Sequence, residues 1–496
     1  MKKYVLACSF MVSSCMQASS HFCHEKYSRT MMFTRPISEQ LSTQMALWHN
    51  FLFKQNGPTA AAVQAMYVQE GSFGSAPAAR YFLFNGLNEL HFAGDTLVDC
   101  SQKQRDVRAE WFGLPDDFQG NMTIRPQQRQ RAVSVSYAQG LRRFSAHPFF
   151  DDMWISIIAP FVWVRNDMQL HQFDVVNPSA PLPSDQSPHD IKEAFCQPSW
   201  QNAKICCEQE IFRLADLRLL MGRTYLHENL FQLAYYSILS FPTGNKPDPE
   251  FLFSPNAGHN YHFGYGAGVH FQIVLNRDPS PITSCFFLEF EGIFFARNHQ
   301  WRTFDLKGKP WSRYLLFVRD DLPVGQAPTP GVNVLTRYTK VRVYGSYDFS
   351  AGFRFIKSSF EAEIGYDIWG HGQERLYLSC KCPSNGCVPK FGIAGPITPE
   401  DDCPVTASTS TICRQGVADV DADGDPLFVP ISDNDLDPFS AAAQSTFNNK
   451  FHVSLGFVRD GKLWDTLFGV GFYYDMPHSN RALKVMGGWG KIGVSF

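Results

Sequence analysis

The chain has 496 residues, a formal net charge of −3, 18% charged residues and 15% aromatic ones, with Phe far ahead of Tyr and Trp. Near-balanced charge excludes a partner chosen by bulk electrostatics, such as nucleic acid. Scarce charge and abundant aromatics fit a wall that faces lipid between aromatic girdles, whereas a Phe-rich soluble β-sandwich would account for the aromatics alone.

Residues 1–20 read as an export signal, with Lys2 and Lys3 ahead of an apolar stretch, Tyr4–Val12, and small residues Ala18-Ser19-Ser20 for cleavage before His21. A rival reading takes Val12-Ser13-Ser14-Cys15 as a lipoprotein box with Cys15 lipidated, although that box prefers Leu where Val12 stands. The best apolar run beyond it, Met153–Val164, is short and holds Pro160, and a spanning helix needs about 20 apolar residues. An exported chain of this kind enters a membrane only as a closed barrel, because lipid leaves no unpaired backbone group satisfied.

The N-terminal half offers candidate strands at Ala60–Gln69, Arg80–Phe92, Ala132–Leu141, Met153–Val164, Ile211–Met221 and Leu230–Phe241. Residues 178–207 are irregular, with a helical start at Asp190–Phe195, and read as a plug, a constriction loop or an outer loop. Adjacent Cys206 and Cys207 are poor partners for each other, and Cys196 is one alternative. From Tyr261 to Leu275 the pattern alternates throughout. Tyr265, Val269, Phe271 and Ile273 share one face, and His262, Gly266, His270 and Gln272 share the other. That is the length of a transmembrane strand, about 9–11 residues, and longer than the soluble mean of about 5–6. Between Phe286 and Val341 the strand count does not close.

Val341–Phe355 alternates again, followed by the turn Lys357-Ser358-Ser359 and a return strand carrying Ala362, Ile364, Tyr366 and Ile368 on one face. Phe451, Val453, Leu455 and Phe457 precede a hairpin at Arg459–Lys462, whose Asp460-Gly461 suits a type I′ turn. Leu467–Tyr474 follows, then a last strand in which Phe496, Val494 and Ile492 oppose Ser495, Gly493 and Lys491.

The ending Lys491-Ile-Gly-Val-Ser-Phe496 resembles the closing strand of bacterial outer-membrane β-barrels. The resemblance implies an all-β fold over residues 21–496: a closed antiparallel transmembrane β-barrel of roughly 12–16 strands with long external loops. It also implies residence in the outer membrane of a Gram-negative-type bacterium, outer-membrane lipid as a partner, and barrel-assembly machinery that engages the C-terminal strand at Phe496. With the C-terminus periplasmic, tracing backward places both tight turns at the periplasmic end and residues 379–448 outside. Residues 230–275, where a strand ends in Pro242-Thr243-Gly244, locally resemble outer-membrane transporters of apolar compounds.

On this parity Arg342, Arg354, Asp348, Glu361, Glu363, Asp367, Glu289 and Glu291 line the lumen. An Arg or Lys on the lipid face costs about 2–4 kcal/mol at mid-membrane, which enforces the assignment. Such charges either set a field that selects ions or pair and fill the interior. Asp419, Asp421, Asp423 and Asp425 form the front half of a calcium loop, Asp-x-Asp-x-Asp-Gly. Pro430 stands where a complete EF-hand needs its Glu, so calcium would recruit Asp433 or Asp435; the alternative is a solvated acidic loop. Cys380, Cys382, Cys387, Cys403 and Cys413 read as a disulfide knot in that loop, their spacing matching no common zinc module. No Gly-x-Ser-x-Gly, His-Glu-x-x-His or Gly-rich phosphate loop occurs, so no catalytic residue is assigned and no cofactor beyond calcium is implied. The function expected is a porin-like channel or passive transporter of small solutes. The alternatives are a barrel-anchored adhesin acting through 379–448 and an outer-membrane hydrolase.

Overall fold

The computed structural model describes residues 28–53, 61–74, 76–97, 105–144, 147–176, 187–227, 230–276, 281–321, 327–378, 389–396, 404–459, 461 and 464–496. The expected signal segment, together with Cys380, Cys382, Cys387 and Cys403, lies outside these residues.

Twelve antiparallel staves close into a barrel. They are β1 (Ala61–Ser72), β2 (Gln127–Gly140), β3 (Met153–Asp167), β4 (Leu217–His227), β5 (Phe231–Phe241) and β6 (Gly264–Val274). The second half comprises β7 (Thr283–Phe295), β8 (Ser346–Lys357), β9 (Phe360–His371), β10 (Thr446–Arg459), β11 (Asp465–Pro477) and β12 (Val485–Ser495). A short strand, Gln209–Leu214, leads into β4 along the upper part of β3, past a break at Ala215-Asp216. Closure is made by β1 against β12, with Ala62 opposite Ser495 and Ser72 opposite Val485. The all-β barrel expected from the sequence is therefore what the chain forms.

Period-two alternation drives this closure. On β8, Phe353 is 46% exposed and Arg354 is 0% exposed; the first meets the surroundings of the barrel and the second its interior. The same exposed apolar face continues through Tyr265, Val269, Ile364, Val453, Leu455, Phe468, Val470 and Ile492. In water such a band would be unstable, but against hydrocarbon it is the favourable face of a membrane barrel. Connections at one end are short, among them residues 358–359 between β8 and β9. At the other end, residues 73–126, 168–208, 296–345 and 372–445 are long. Short turns mark the periplasmic end of this class and long loops the outer end.

The outer loops fold into a cap with its own small sheets and an aromatic core of Phe112, Phe195, Trp200, Trp311 and Tyr314. The described part of 178–207 belongs to this cap. Asp190 caps the helix Ile191–Cys196, and a Cys196–Cys206 disulfide ties its end. Arg80–Phe92 is not a barrel strand: Ala76–Phe82 is helical, as its alanines favour, and only Glu89–Ala93 is extended, in a cap sheet. Val341–Phe355 likewise divides. Thr336–Arg342 pairs within the cap, and β8 begins only at Ser346. The break falls at Gly345, whose φ of 139° is open to glycine and whose Cα packs so close to β7 that a Cβ would meet the Ile293 carbonyl oxygen at 2.4 Å.

Candidate functional site

The lumen is filled by the chain's own N-terminal segment. Ser28 and Thr30 begin among the cap loops, where they bond Asp305, the Thr303 carbonyl and the Ser440 carbonyl. The segment then descends inside the barrel as three short helical pieces, Ile37–Glu39, Leu41–Met45 and His49–Leu52. It ends near the short-turn rim, where Gln232, near the start of β5, donates to the Phe53 carbonyl and Asn50 donates to Glu361 at 2.9 Å. Its apolar residues Leu41, Met45, Trp48, Phe51 and Phe53 are all buried.

Wall residues meet this plug at successive heights. Near the top, the Phe33 ring stacks with His259 and Trp369. Arg35 pairs with Asp348, reaches Asp475 at 3.5 Å and lies over Trp369. Gln40 donates to Glu70 at 2.7 Å and to the Tyr473 hydroxyl at 3.0 Å. Asp348 accepts the Leu41 N–H, and Asp367 accepts the Ser42 hydroxyl. Arg218 spans Gln44 and Glu291 at 3.0 and 2.6 Å. The Lys491 ammonium donates to the carbonyls of Gln44 and Ala46, both at 2.8 Å. Lower down, His49 Nε2 lies 3.7 Å from Glu361.

Seven of the eight residues expected on the lumen face lie there, buried: Glu289, Glu291, Asp348, Arg354, Glu361, Glu363 and Asp367. They do not line open water. Arg354 is paired with Glu361 and Glu363 at 3.1 and 2.7 Å. Asp367 holds Lys450 at 2.7 Å, and His452 sits between Glu363 and Asp367. His270 contacts Glu289 at 3.0 Å. The eighth, Arg342, is a correction: it ends a cap strand above the barrel, with its guanidinium over Tyr344. The alternating sequence runs on through the Gly345 break and conceals it. His262, also expected on the lumen face, lies just above β6 and is held by the Ala296 carbonyl at 2.7 Å.

One cluster was not visible in the sequence. His259, in the loop between β5 and β6, places Nε2 3.0 Å from Glu39 of the plug and Nδ1 3.1 Å from Asp216 at the β4 break. With a carboxylate at each nitrogen, both are placed to donate as N–H groups of a protonated ring. Burial alone would lower the His259 pKa, but Glu39 and Asp216 outweigh it and raise it to about 9. These three form the only set of at least three His, Cys, Asp or Glu ligands converging within 4.8 Å among the described residues. No three carboxylates of Asp419, Asp421, Asp423 and Asp425 therefore converge. Asp419 instead holds Thr406 and Ser408, and Asp421 accepts the N–H groups of Asp423 and Asp425. Asp435 caps Ser432. Cys413 is a free thiol beside Thr411 among the described residues.

The sequence matches no protein-family model and no curated protein. Among solved structures, the chain is similar to the COG4313 outer membrane channel from Pseudomonas putida F1, with 11% identity, a TM-score of 0.37, and 88% of this chain and 95% of that one covered. It is also similar to a TodX monoaromatic hydrocarbon channel mutant at 7% identity and TM-score 0.32, covering 89% and 91%. A third is a FadL homologue from Pseudomonas aeruginosa at 6% identity and TM-score 0.29, covering 94% and 99%. The fold is that of a closed antiparallel β-barrel with an apolar outer face, the class of barrel that spans a membrane. More particularly, it is a twelve-stranded barrel whose own N-terminal segment occupies its lumen.

Proposed function

We propose that the protein is a gated, passive outer-membrane channel for small solutes, and that residues 28–53 are its stopper. One observation carries this reading: the segment runs the length of the lumen and is held at almost every height by polar wall side chains in addition to its apolar packing. Short helical pieces joined by non-helical residues can be displaced stepwise, which a long packed helix cannot.

The side on which a path would open is set by the wall. Beside β1 to β4, the plug's Met45, Trp48 and Leu52 face Met66, Ile158 and Leu220, with Gln64, Ser136 and Ser156 between them around a small cavity. The Ser156 hydroxyl and the Gln64 carbonyl oxygen have no hydrogen-bond partner among the described residues. Apolar surface with a few weakly engaged polar groups suits small apolar or amphiphilic solutes better than ions.

The test is single-channel conductance and solute uptake by the refolded mature chain in bilayers and vesicles, with and without calcium, against Arg35→Ala. The wild type is expected to be closed for most of the record and the variant to show long openings. Calcium sensitivity would assign an ion role to Asp419–Asp425. Folded barrels that neither conduct nor admit a small apolar solute, in both forms, would sink the channel reading.

A further inference from the structure

One sector of the outward face breaks the apolar rule. On β2 the outward positions descend from Arg129 and Arg131 to Val133, Val135 and Tyr137. Both arginines are exposed and stand above the apolar band at the outer end. Across the pairing with β3, Arg129 faces Arg165, and Arg131 faces Trp163. Arg131 lies 4.7 Å from the centre of the Trp163 ring. Arg165 is neutralised by Glu208, and Trp163 donates to Glu210. Arg129 and Arg131 form no ion pair among the described residues. On the other side of β1, Lys484 sits over Phe73 at the same end. Elsewhere this outer girdle carries residues such as Tyr265, Phe294, Tyr347 and Phe451.

Directly below is a groove. Tyr67, Val133, Phe468 and Ile492 form its sides, and Ala65 and Gly490 its floor. It is open because Gly490 lacks a side chain; a Cβ there would meet nothing nearer than the Gly469 carbonyl oxygen, at 4.0 Å. Two guanidinium groups without an ion-pair partner among the described residues therefore stand above an apolar groove. That is the complement of a lipid with a phosphate above and an acyl chain below. Arginine donates to phosphate in a bidentate fork, and the indole beside it can cover a sugar or glycerol backbone.

We infer that the β12–β1–β2–β3 sector is a binding site for a phosphorylated, acylated lipid of the outer leaflet, with Arg129 and Arg131 on its phosphate and one acyl chain in the Tyr67–Gly490 groove. The phosphate belongs to the lipid rather than to solution, because the groove begins at Val133, two residues below Arg131 on the same face, and runs down the apolar band.

The experiment is native mass spectrometry of the refolded full chain in micelles doped with a phosphorylated outer-leaflet glycolipid or its dephosphorylated form. Wild type should retain the phosphorylated form, and Arg129→Gln/Arg131→Gln should lose at least about tenfold in retention, the scale of a lost charge-assisted contact. Gly490→Leu, which the open space around Gly490 tolerates, should weaken retention independently by filling the groove. Arg223→Gln, at the opposite end of the wall over Tyr225, should change nothing. Equal retention of the two lipid forms by wild type, or unchanged retention by the double variant, would overturn the site. Displacement by millimolar inorganic phosphate would instead make it a free-anion site and would equally reject the lipid assignment. Neither outcome depends on whether the channel conducts.

Discussion

The two flanks of the lumen hold the same plug by different means. On the β7–β10 flank, Glu291, Asp348, Glu361, Asp367 and Lys450 meet plug atoms directly or through one shared partner, with Arg354 and Glu363 buried behind them. On the β1–β3 flank, the inward polar residues are amides and hydroxyls, Gln64, Gln128, Gln130, Ser134, Ser136, Ser156 and Asn166, set among apolar ones such as Met66, Trp154 and Ile158. Glu70, bonded to Gln40, is the charged exception. Charge-assisted bonds in a low dielectric are strong and directional, whereas apolar contact beside idle hydroxyls resists sliding little. The plug should therefore part first from the neutral flank and stay tethered to the charged one.

The largest effect that would break this comparison lies on the charged flank. Arg354→Ala leaves Glu361 and Glu363 buried without their cation, and removing one partner of a buried pair costs about 3–5 kcal/mol. The gel-shift melting temperature of the folded barrel should fall by many degrees; an unchanged midpoint would mean that the flank is not clamped by charge. Next is the top latch. The His259 pKa of about 9 lies above the ordinary 6.5, so its contribution is complete below pH ~6.5 and lost as pH rises through about 9. Channel opening should increase between roughly pH 8 and 10, and His259→Gln should remove that dependence. Facing His259 are Glu39, Asp216, Phe33 and Phe295, with Arg218 and Arg35 acting on Glu39 and with His262 and His371 nearby. His262 is depressed to about 4, mainly by burial, and stays neutral across this range. The smallest effect is on the neutral flank: Ser156→Ala removes a hydroxyl that bonds nothing among the described residues and should shift stability by less than about 0.5 kcal/mol, in either direction. A large loss there would show that this hydroxyl is bonded after all.

Most of the wall was legible because a strand with lipid on one side and the lumen on the other must alternate. Phe353 beside Arg354 and Val453 beside His452 declare their faces without any knowledge of their neighbours. The tight turn at Lys357–Ser359 was legible from its small and turn-forming residues, while the hairpin expected at Arg459–Lys462 lies partly outside the described residues. The plug was not, because residues 28–53 have no period to read. Their burial is imposed by a wall that forms hundreds of residues later, and the same holds for His259, whose partners Glu39 and Asp216 are remote in sequence. Arg342 was misplaced for the opposite reason, since alternation continued through a glycine that ends one sheet and starts another.

Because residues 28–53 pass through the barrel, thread and ring belong to one molecule. Ser28 stands among the outer loops and β1 starts at the periplasmic rim. The bond row between Ala62–Ser72 and Val485–Ser495 is therefore the clasp that encloses the thread. Either that clasp shuts around a segment already laid in place, or the segment must later be drawn through a narrow, charge-lined bore. Biogenesis of this protein thus faces an ordering problem that an empty barrel of equal size does not.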